Sequence, residues 1–379
     1  MKKLLFQKFI QDNLKLFLVV ILSIGSIVWI IQSVNFLDFV TEDGHGFKTY
    51  LYFSLLSFPK ILYRILPFIF FVTLFYQIIS YEKNNQLLIF WIHGVKKIQL
   101  VNIIIVYSVL LALAQIVLGG FISPKSQDAA RSFIRNSNLD FFASIISPGK
   151  FVDTVENLTI FIEKKNKLDL YENIYLKDDL KDNEEGVKSQ IIFAKRAKLI
   201  NEKDKRYFKL VDGKLIKLKD REIETIEFES INFDLSKFGT KTTIFPKLQE
   251  VSAKILISCF INEYNGELHK FKDYKYISCN ENAIAEIKEE ILKRFYSPIY
   301  IPVIALITSL LILRSKEDKK YQLVKFLLFL IIFFVIIISE VSLRYSTSNT
   351  IGMLFFIFFP ILVFFSAYYI LIKNTNHKT

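Results

Sequence analysis

Six stretches of the chain stay apolar over the thickness of a bilayer. They run roughly over 16–37, 61–80, 98–121, 296–313, 324–342 and 350–372. A membrane-crossing helix needs about 20 mainly apolar residues. Three of these stretches precede, and three follow, a long polar-rich insert at about 123–295. Inside the insert the pattern changes from long runs to alternation. NLTIFIEK (157–164), LYENIYLK (170–177), SQIIFAKRAKLI (189–200), RYFKLVDGKLIKL (206–218) and EIETIEFESINFDL (222–235) alternate apolar and polar positions, which predicts an antiparallel sheet. Asp212-Gly213 reads as a hairpin turn. The odd spacing of Ile223, Ile226, Phe228, Ile231 and Phe233 reads as a bulge. DDLKDNEEG (178–186) reads as a polar loop, and Ala283 to Phe295 as a helix feeding the fourth span. The expected architecture is an α-helical membrane protein with six transmembrane helices (3+3) and an inserted all-β, jelly-roll-like extracytoplasmic domain. Its parts are 1–122, 123–295 and 296–379.

Composition agrees with that class. Hydrophobic residues make up 52% of 379, there are 38 Phe, and mean hydropathy is +0.34, which is unusual for a soluble domain. The first span is too long for a secretory signal and no A-x-A cleavage pattern follows it, so it is expected to be a retained anchor. The net charge of +12 could indicate nucleic acid, but its distribution points elsewhere. The N-terminal end, the links 81–97 and 314–325, and the tail from Lys373 hold 14 basic and 4 acidic residues. The remaining short loops and helix ends hold 4 of each, and the insert 31 basic and 29 acidic. The excess is therefore the positive-inside signal of a multi-pass protein. Both termini are expected in the cytoplasm and the insert outside, with no nucleic-acid partner.

Little in the chain carries catalytic chemistry. It has no G-x-x-x-x-G-K-[ST], no H-E-x-x-H and no G-x-S-x-G, hence no phosphate-cradling loop, zinc-protease helix or nucleophile elbow. Its four His are scattered and its two cysteines, Cys259 and Cys279, cannot build a four-ligand metal site. They could pair in an oxidising compartment. No cofactor, metal or catalytic residue is expected, and the chain reads as a non-enzyme.

Two features invite a role. Lys60 and Arg64 stand at i, i+4 at the outer start of the second span, and Glu340 and Arg344 at i, i+4 at the outer end of the fifth. Each pair shares a helix face. The cations could snorkel, could pair with a neighbouring acid, or could hold lipid phosphate. Gln32, near the outer end of the first span, could add a polar contact. The second feature is YEKNNQLLIFWIHGVKK (81–97), an apolar run too short to span and flanked by lysines. Asn84 or Asn85 could cap a short helix there, Glu82 suits its start, and Gly94 could end it. It could be an interfacial helix, with Leu87, Phe90 and Trp91 among headgroups. It could instead be a coupling helix that fills a groove on an ATPase.

The order of parts, with several local stretches, resembles the lipopolysaccharide-export ABC transporter permease family, LptF/LptG. NNQLLIFWIHG (84–94) resembles that family's S-E-L-x-x-x-x-x-x-G stretch after the second span. FISPKSQDAARSF (121–133), IFAKRAKL (192–199) followed by LVDG (210–213), and KRFYSPI (293–299) resemble its other signatures. NFLDFVTEDGHG (35–46) resembles the LptF branch. The chain departs from the family at Gln86, where Glu is frequent. The resemblance implies an inner-membrane permease that takes lipopolysaccharide from the outer leaflet and passes it to a periplasmic bridge. It implies a paralogous LptG-like permease, a cytoplasmic LptB-like ATPase dimer and a membrane-anchored LptC-like protein as partners. Under it, Lys60, Arg64, Arg344 and Gln32 become candidate lipid-phosphate contacts. Glu82, Asn85, Gln86, Leu87, Phe90, Trp91 and Gly94 form the coupling helix near 82–94. The alternatives are a mechanical-coupling permease for another lipid or peptide, and a membrane-anchored sensor or scaffold.

Overall fold

Apolar residues lie on all sides of the long helices rather than along one stripe, as suits a helix enclosed by protein or lipid. The computed structural model of the protein describes residues 2–37, 47–133, 148–155, 157–166, 170–179, 187–202, 205–219, 223–235, 247–264, 281–347 and 350–376. Among these, six helical runs are long and apolar enough to cross a membrane: Lys2–Asn35, Phe47–Lys83, Lys97–Phe133, Ala283–Leu313, Tyr321–Tyr345 and Thr350–Thr375. The elements are α1 (Lys2–Asn35), α2 (Phe47–Leu56), α3 (Phe58–Lys83), α4 (Gln86–Ile92) and α5 (Lys97–Val117). A π-helical turn, Leu118–Ile122, continues α5. Six strands follow, then α6 (Ala253–Tyr264), α7 (Glu281–Phe295), α8 (Tyr300–Ser309), α9 (Tyr321–Tyr345) and α10 (Thr350–Asn376).

The chain divides into two compact units. The first comprises Met1–Gln32, Leu55–Ala129 and Pro246–Thr379 and is helical. Its centre is α3 and α8. Ile69, Phe70, Phe71, Leu74 and Ile78 belong to one fully buried cluster with Ile301, Ile304, Leu306, Val101 and Ile104. The apolar window of the first span is only 17% buried and that of the sixth 22%, against 67% for the fourth. The outer helices thus present Leu, Ile and Phe outward, where lipid or another membrane helix accommodates them. Backbone carbonyls take up hydrogen bonds from several polar side chains inside. Thr308 Oγ1 donates to Ile304 O at 2.7 Å, and Gln77 Nε2 ties α3 to α1 through Phe9 O at 2.8 Å. At the π turn, Gly119 lies against the Tyr63 ring so closely that a Cβ would overlap it. A side chain there would displace that ring.

The second unit comprises Ser33–Ser54 and Ala130–Phe245. Its strands, β1 (Phe151–Val155), β2 (Leu158–Lys165), β3 (Leu170–Asp178), β4 (Val187–Glu202), β5 (Lys205–Lys219) and β6 (Ile223–Asp234), form one antiparallel sheet in sequential order. The alternation is real but changes phase along one line. On β3 the buried side runs Tyr171, then Ile174 and Leu176. On β4 it runs Ile192 and Ala194, then Ala197, and on β5 Phe208 and Leu210, then Leu215. The step falls at the same level in each strand, between the rows Ile174↔Ala194↔Gly213↔Phe228 and Glu172↔Arg196↔Val211↔Ser230. Asn173 and Asp212 sit in it with φ of 50° and 62°, the left-handed conformation that Asn and Asp tolerate best. Each turns its strand over by one residue and keeps apolar side chains on one side.

This crease corrects two expectations. Asp212-Gly213 is no hairpin, because β5 runs straight through it from Lys205 to Lys219. The odd spacing in β6 is no bulge, because β5 and β6 pair in unshifted register from Ile223 to Asp234. A positive-φ residue flips the pleat whether or not the chain reverses, and sequence alone does not separate the two outcomes.

Candidate functional site

The first site is built where three helices of the first unit converge. Tyr63, Arg64, Pro67 and Phe68 come from α3, Glu289 and Lys293 from α7, and Ile336, Ser339, Glu340 and Arg344 from α9. With Gln115, Gln249, Tyr300 and Ile304 they line a cleft of about 730 Å³, within the usual range of ligand pockets. The sequence-predicted cations Arg64 and Arg344, 280 positions apart, thus share one cavity. Lys60, one turn before Arg64, and Gln32, on α1, are not among its lining residues; both are half-buried. Among the described residues no ion pair joins Glu340 to Arg344, so their i, i+4 spacing is not used for an internal bridge. Arg344 and Glu340 are both exposed and both line the cleft.

A network of bonds beside this cleft places Arg64. Arg294 is 1% exposed. Its Nε meets Glu290 Oε1 at 2.9 Å, and its two terminal nitrogens donate to Val251 O at 2.8 Å, Gln249 O at 3.0 Å and Leu248 O at 3.1 Å. The segment 248–251 is thereby fixed on α7, and Gln249 Oε1 accepts from the Arg64 guanidinium at 3.1 Å. Tyr63 Oη donates to Lys293 O at 2.7 Å, and Gln115 Nε2 to Tyr63 O at 3.2 Å. Lys293, Glu289, Tyr63 and Gln115 are members of the site that sequence reading missed. The i, i+4 spacing of Glu289 and Lys293 was the available signal. Chemically, the cleft sets three cations and two carboxylates over the apolar flanks of Phe68, Ile304 and Ile336, which suits a ligand with a charged head and an apolar body.

The second candidate is the link 81–97. It contains a real helix, α4, of seven residues. Asn84 ends α3 and Asn85 takes φ of 59°, so the chain breaks between the helices. Neither asparagine caps α4 through its side chain. Gly94 lies just past its end with φ of 72°, as a terminating glycine should. Leu87 and Phe90 are 2% and 3% exposed. Phe90 packs near Phe6, Phe9 and Tyr81, so these two residues hold α4 to its own chain rather than face a partner or headgroups. Trp91 is half-buried beneath Lys97, whose Nζ stands 5.8 Å from the ring. The exposed apolar residues are Leu88, Ile89 and Ile92, at 53%, 45% and 73%, and Gln86 is exposed beside them. Glu82 and Asn85 turn toward Lys316.

Cys259, on α6, packs with Val251, Leu256 and Ile287 and is disulfide-bonded. The chain's other cysteine, Cys279, lies outside the described residues, as do Asp38, Glu42 and Asp43 and most of the polar loop at 178–186. Among the described residues no cluster of His, Cys, Asp or Glu could hold a metal ion.

Comparison with known proteins gives two findings. A family model described as lipopolysaccharide export system permease LptF/LptG matches residues 9–374. An uncharacterised protein of Rickettsia prowazekii (strain Madrid E) is 30% identical over 165 residues, which is 43% of this chain and 45% of that protein.

Proposed function

The chain belongs to the lipopolysaccharide export system permease LptF/LptG family, and from that premise we propose that it is a non-catalytic transmembrane subunit that moves lipopolysaccharide out of the inner membrane. In this reading the spans of 1–122 and 296–379 form half of a cavity. The insert 123–295 is periplasmic and passes lipid to a bridge, and both termini are cytoplasmic. An LptG-like permease completes the cavity, an LptC-like protein joins from the membrane, and an LptB-like ATPase dimer docks at the link containing α4. The resemblance of NFLDFVTEDGHG to the LptF branch supports that branch over the other.

The observation that carries the reading is the convergence of Arg64 and Arg344, with Lys293, on one cleft with apolar walls. Guanidinium groups bind phosphate in forked, charge-assisted pairs, and a phosphorylated glycolipid offers phosphates above acyl chains. Lys60 and Gln32, outside the lining, become secondary to Arg64 and Arg344. Reversing both charges (R64E with R344E) in the complex purified with its native lipid should lower retained lipopolysaccharide by about tenfold or more. Mass spectrometry of the extracted lipid measures it. Unchanged retention, or a different lipid in the unaltered chain, would overturn the assignment.

A further inference from the structure

We propose that Lys316 is a latch that joins α4 to the turn between α8 and α9, so that the docking helix and two cleft-lining helices move as one body. The proposal rests on the reading of α4 as the element an ATPase grips, and adds the residue through which a push on α4 reaches the cleft.

The backbone N–H of Lys316 donates to Glu82 Oε1 at 2.8 Å. Its Nζ donates to Asn85 Oδ1 at 2.6 Å and to Lys83 O at 3.3 Å. One residue thus holds the last turn of α3 and the left-handed residue that begins α4. Beyond the other end of α4, Lys97, the first residue of α5, donates through Nζ to Leu313 O at 3.3 Å. The segment 313–316 therefore ties the chain on both flanks of α4, while α4 itself is separated from α3 by the backbone break at Asn84 and Asn85. Leu87 and Phe90 seat α4 on the chain beneath it, and the bonds of 313–316 add a second tie, to the turn between α8 and α9.

The turn that presents Lys316 is stiff. Arg314 meets Asp318 Oδ2 at 2.7 Å, Asp318 N–H donates to Ser315 O at 3.0 Å, and Asp318 Oδ1 accepts from Lys320 N–H at 2.9 Å. Five residues beyond Lys316, α9 begins at Tyr321 and runs to Tyr345. With a rise of about 1.5 Å per residue, Arg344 stands roughly 35 Å along that rod. In the other direction the turn leads through Leu310–Leu313 into α8, which carries Tyr300 and Ile304 of the same cleft. The placing of Glu82 supports the assignment. A carboxylate in the last turn of a helix opposes the helix dipole, and its bond to Lys316 offsets that penalty.

Lys316 is a positioning residue in this account and touches no ligand. The test uses the full chain with its co-purified subunits in lipopolysaccharide-containing liposomes. K316A should raise amide exchange across 86–94 by about tenfold or more, the size expected for losing charge-assisted bonds. ATP hydrolysis should stay within about twofold, while lipid released per ATP falls by about fivefold or more. K316R, which keeps a charged donor, should recover most of that ratio. Unchanged exchange across 86–94, or an unchanged ratio of release to hydrolysis, would overturn the latch. If the unaltered chain purifies with no ATP-hydrolysing subunit, the docking reading fails. The exchange comparison needs no partner and still decides whether Lys316 holds α4.

Discussion

Lys293 and Arg294 are adjacent cations with opposite fates. Neighbours on a helix point about 100° apart, so Lys293 lines the cleft while Arg294 enters the protein and meets one carboxylate and three backbone carbonyls. Charge and spacing made Arg64 and Arg344 legible as candidates. They did not separate these two, because the carbonyl partners of Arg294 lie about 45 residues away at 248–251. Replacing Arg294 with Met would leave Glu290 and the 248–251 carbonyls without their partner. Breaking such a buried network costs about 3–5 kcal/mol, so R294M should melt well below the unaltered chain in detergent, as followed by circular dichroism. It should also weaken the cleft, since Gln249 would lose the anchor that presents it to Arg64. Asp318 gives a pH prediction. Its backbone bond from Lys320 N–H, and then its contact with Arg314, hold its carboxyl below the ordinary 3.8. A lowered carboxyl pKa stabilises the turn above 3.8, and that contribution is lost as pH falls through the lowered value. The turn should therefore be insensitive between pH 5 and 8 (ordinary working conditions for carboxylates) and loosen only in stronger acid. A carbon-13 titration of the Asp318 carboxyl checks this, and a midpoint above 3.8 would contradict it.

At the scale of elements, long apolar runs and strict alternation were the legible signals, because each reflects one repeated geometric requirement. The six spans and the all-β insert follow from them directly. The crease did not, because it depends on Asn173 and Asp212 adopting positive φ in step with neighbouring strands, which is a property of the assembled sheet. The short helix α4 was legible as an element, but not its faces: seven residues make two turns, too few for a stripe to declare itself. The structure separates Leu87 and Phe90, which face inward, from Leu88, Ile89 and Ile92, which do not. That separation sorts two kinds of mutant. L88D combined with I92D should leave the melting temperature nearly unchanged and reduce co-purified ATPase by about tenfold, as loss of a docking anchor does. F90A should destabilise the chain by about 3–5 kcal/mol through the cavity it leaves. Quantifying the bound subunit by stained gel beside a thermal melt distinguishes them, and full ATPase retention by the double aspartate variant would exclude the exposed face as the docking surface.

Across the whole molecule, crossing by all six long apolar helices would place both termini on one side, and the basic residues are the signal for which side. Charge counting grouped the N-terminal end, the link 81–97, the link 314–325 and the tail without any knowledge of contacts. The structure brings three of these four together. Lys2 Nζ donates to Gly94 O at 2.8 Å, Lys316 reaches Glu82 and Asn85, and Lys97 reaches Leu313. Segments distant in sequence that share a charge signature therefore share an end of the bundle. The same end carries the exposed face of α4, and in the proposed topology this end faces the cytoplasm. Cysteines introduced singly at Lys3 and at Asn374, both exposed, should resist a membrane-impermeant maleimide in intact cells and label after lysis. A cysteine at Lys195, exposed on β4, should label in cells whose outer membrane alone has been opened. The opposite pattern would invert the protein and remove α4 from the reach of any cytoplasmic ATPase. A mixed pattern at the two termini would contradict the six-span count itself. The labelling experiment thus tests the premise on which α4 docking, the Lys316 latch and the cleft's access to the outer leaflet all depend.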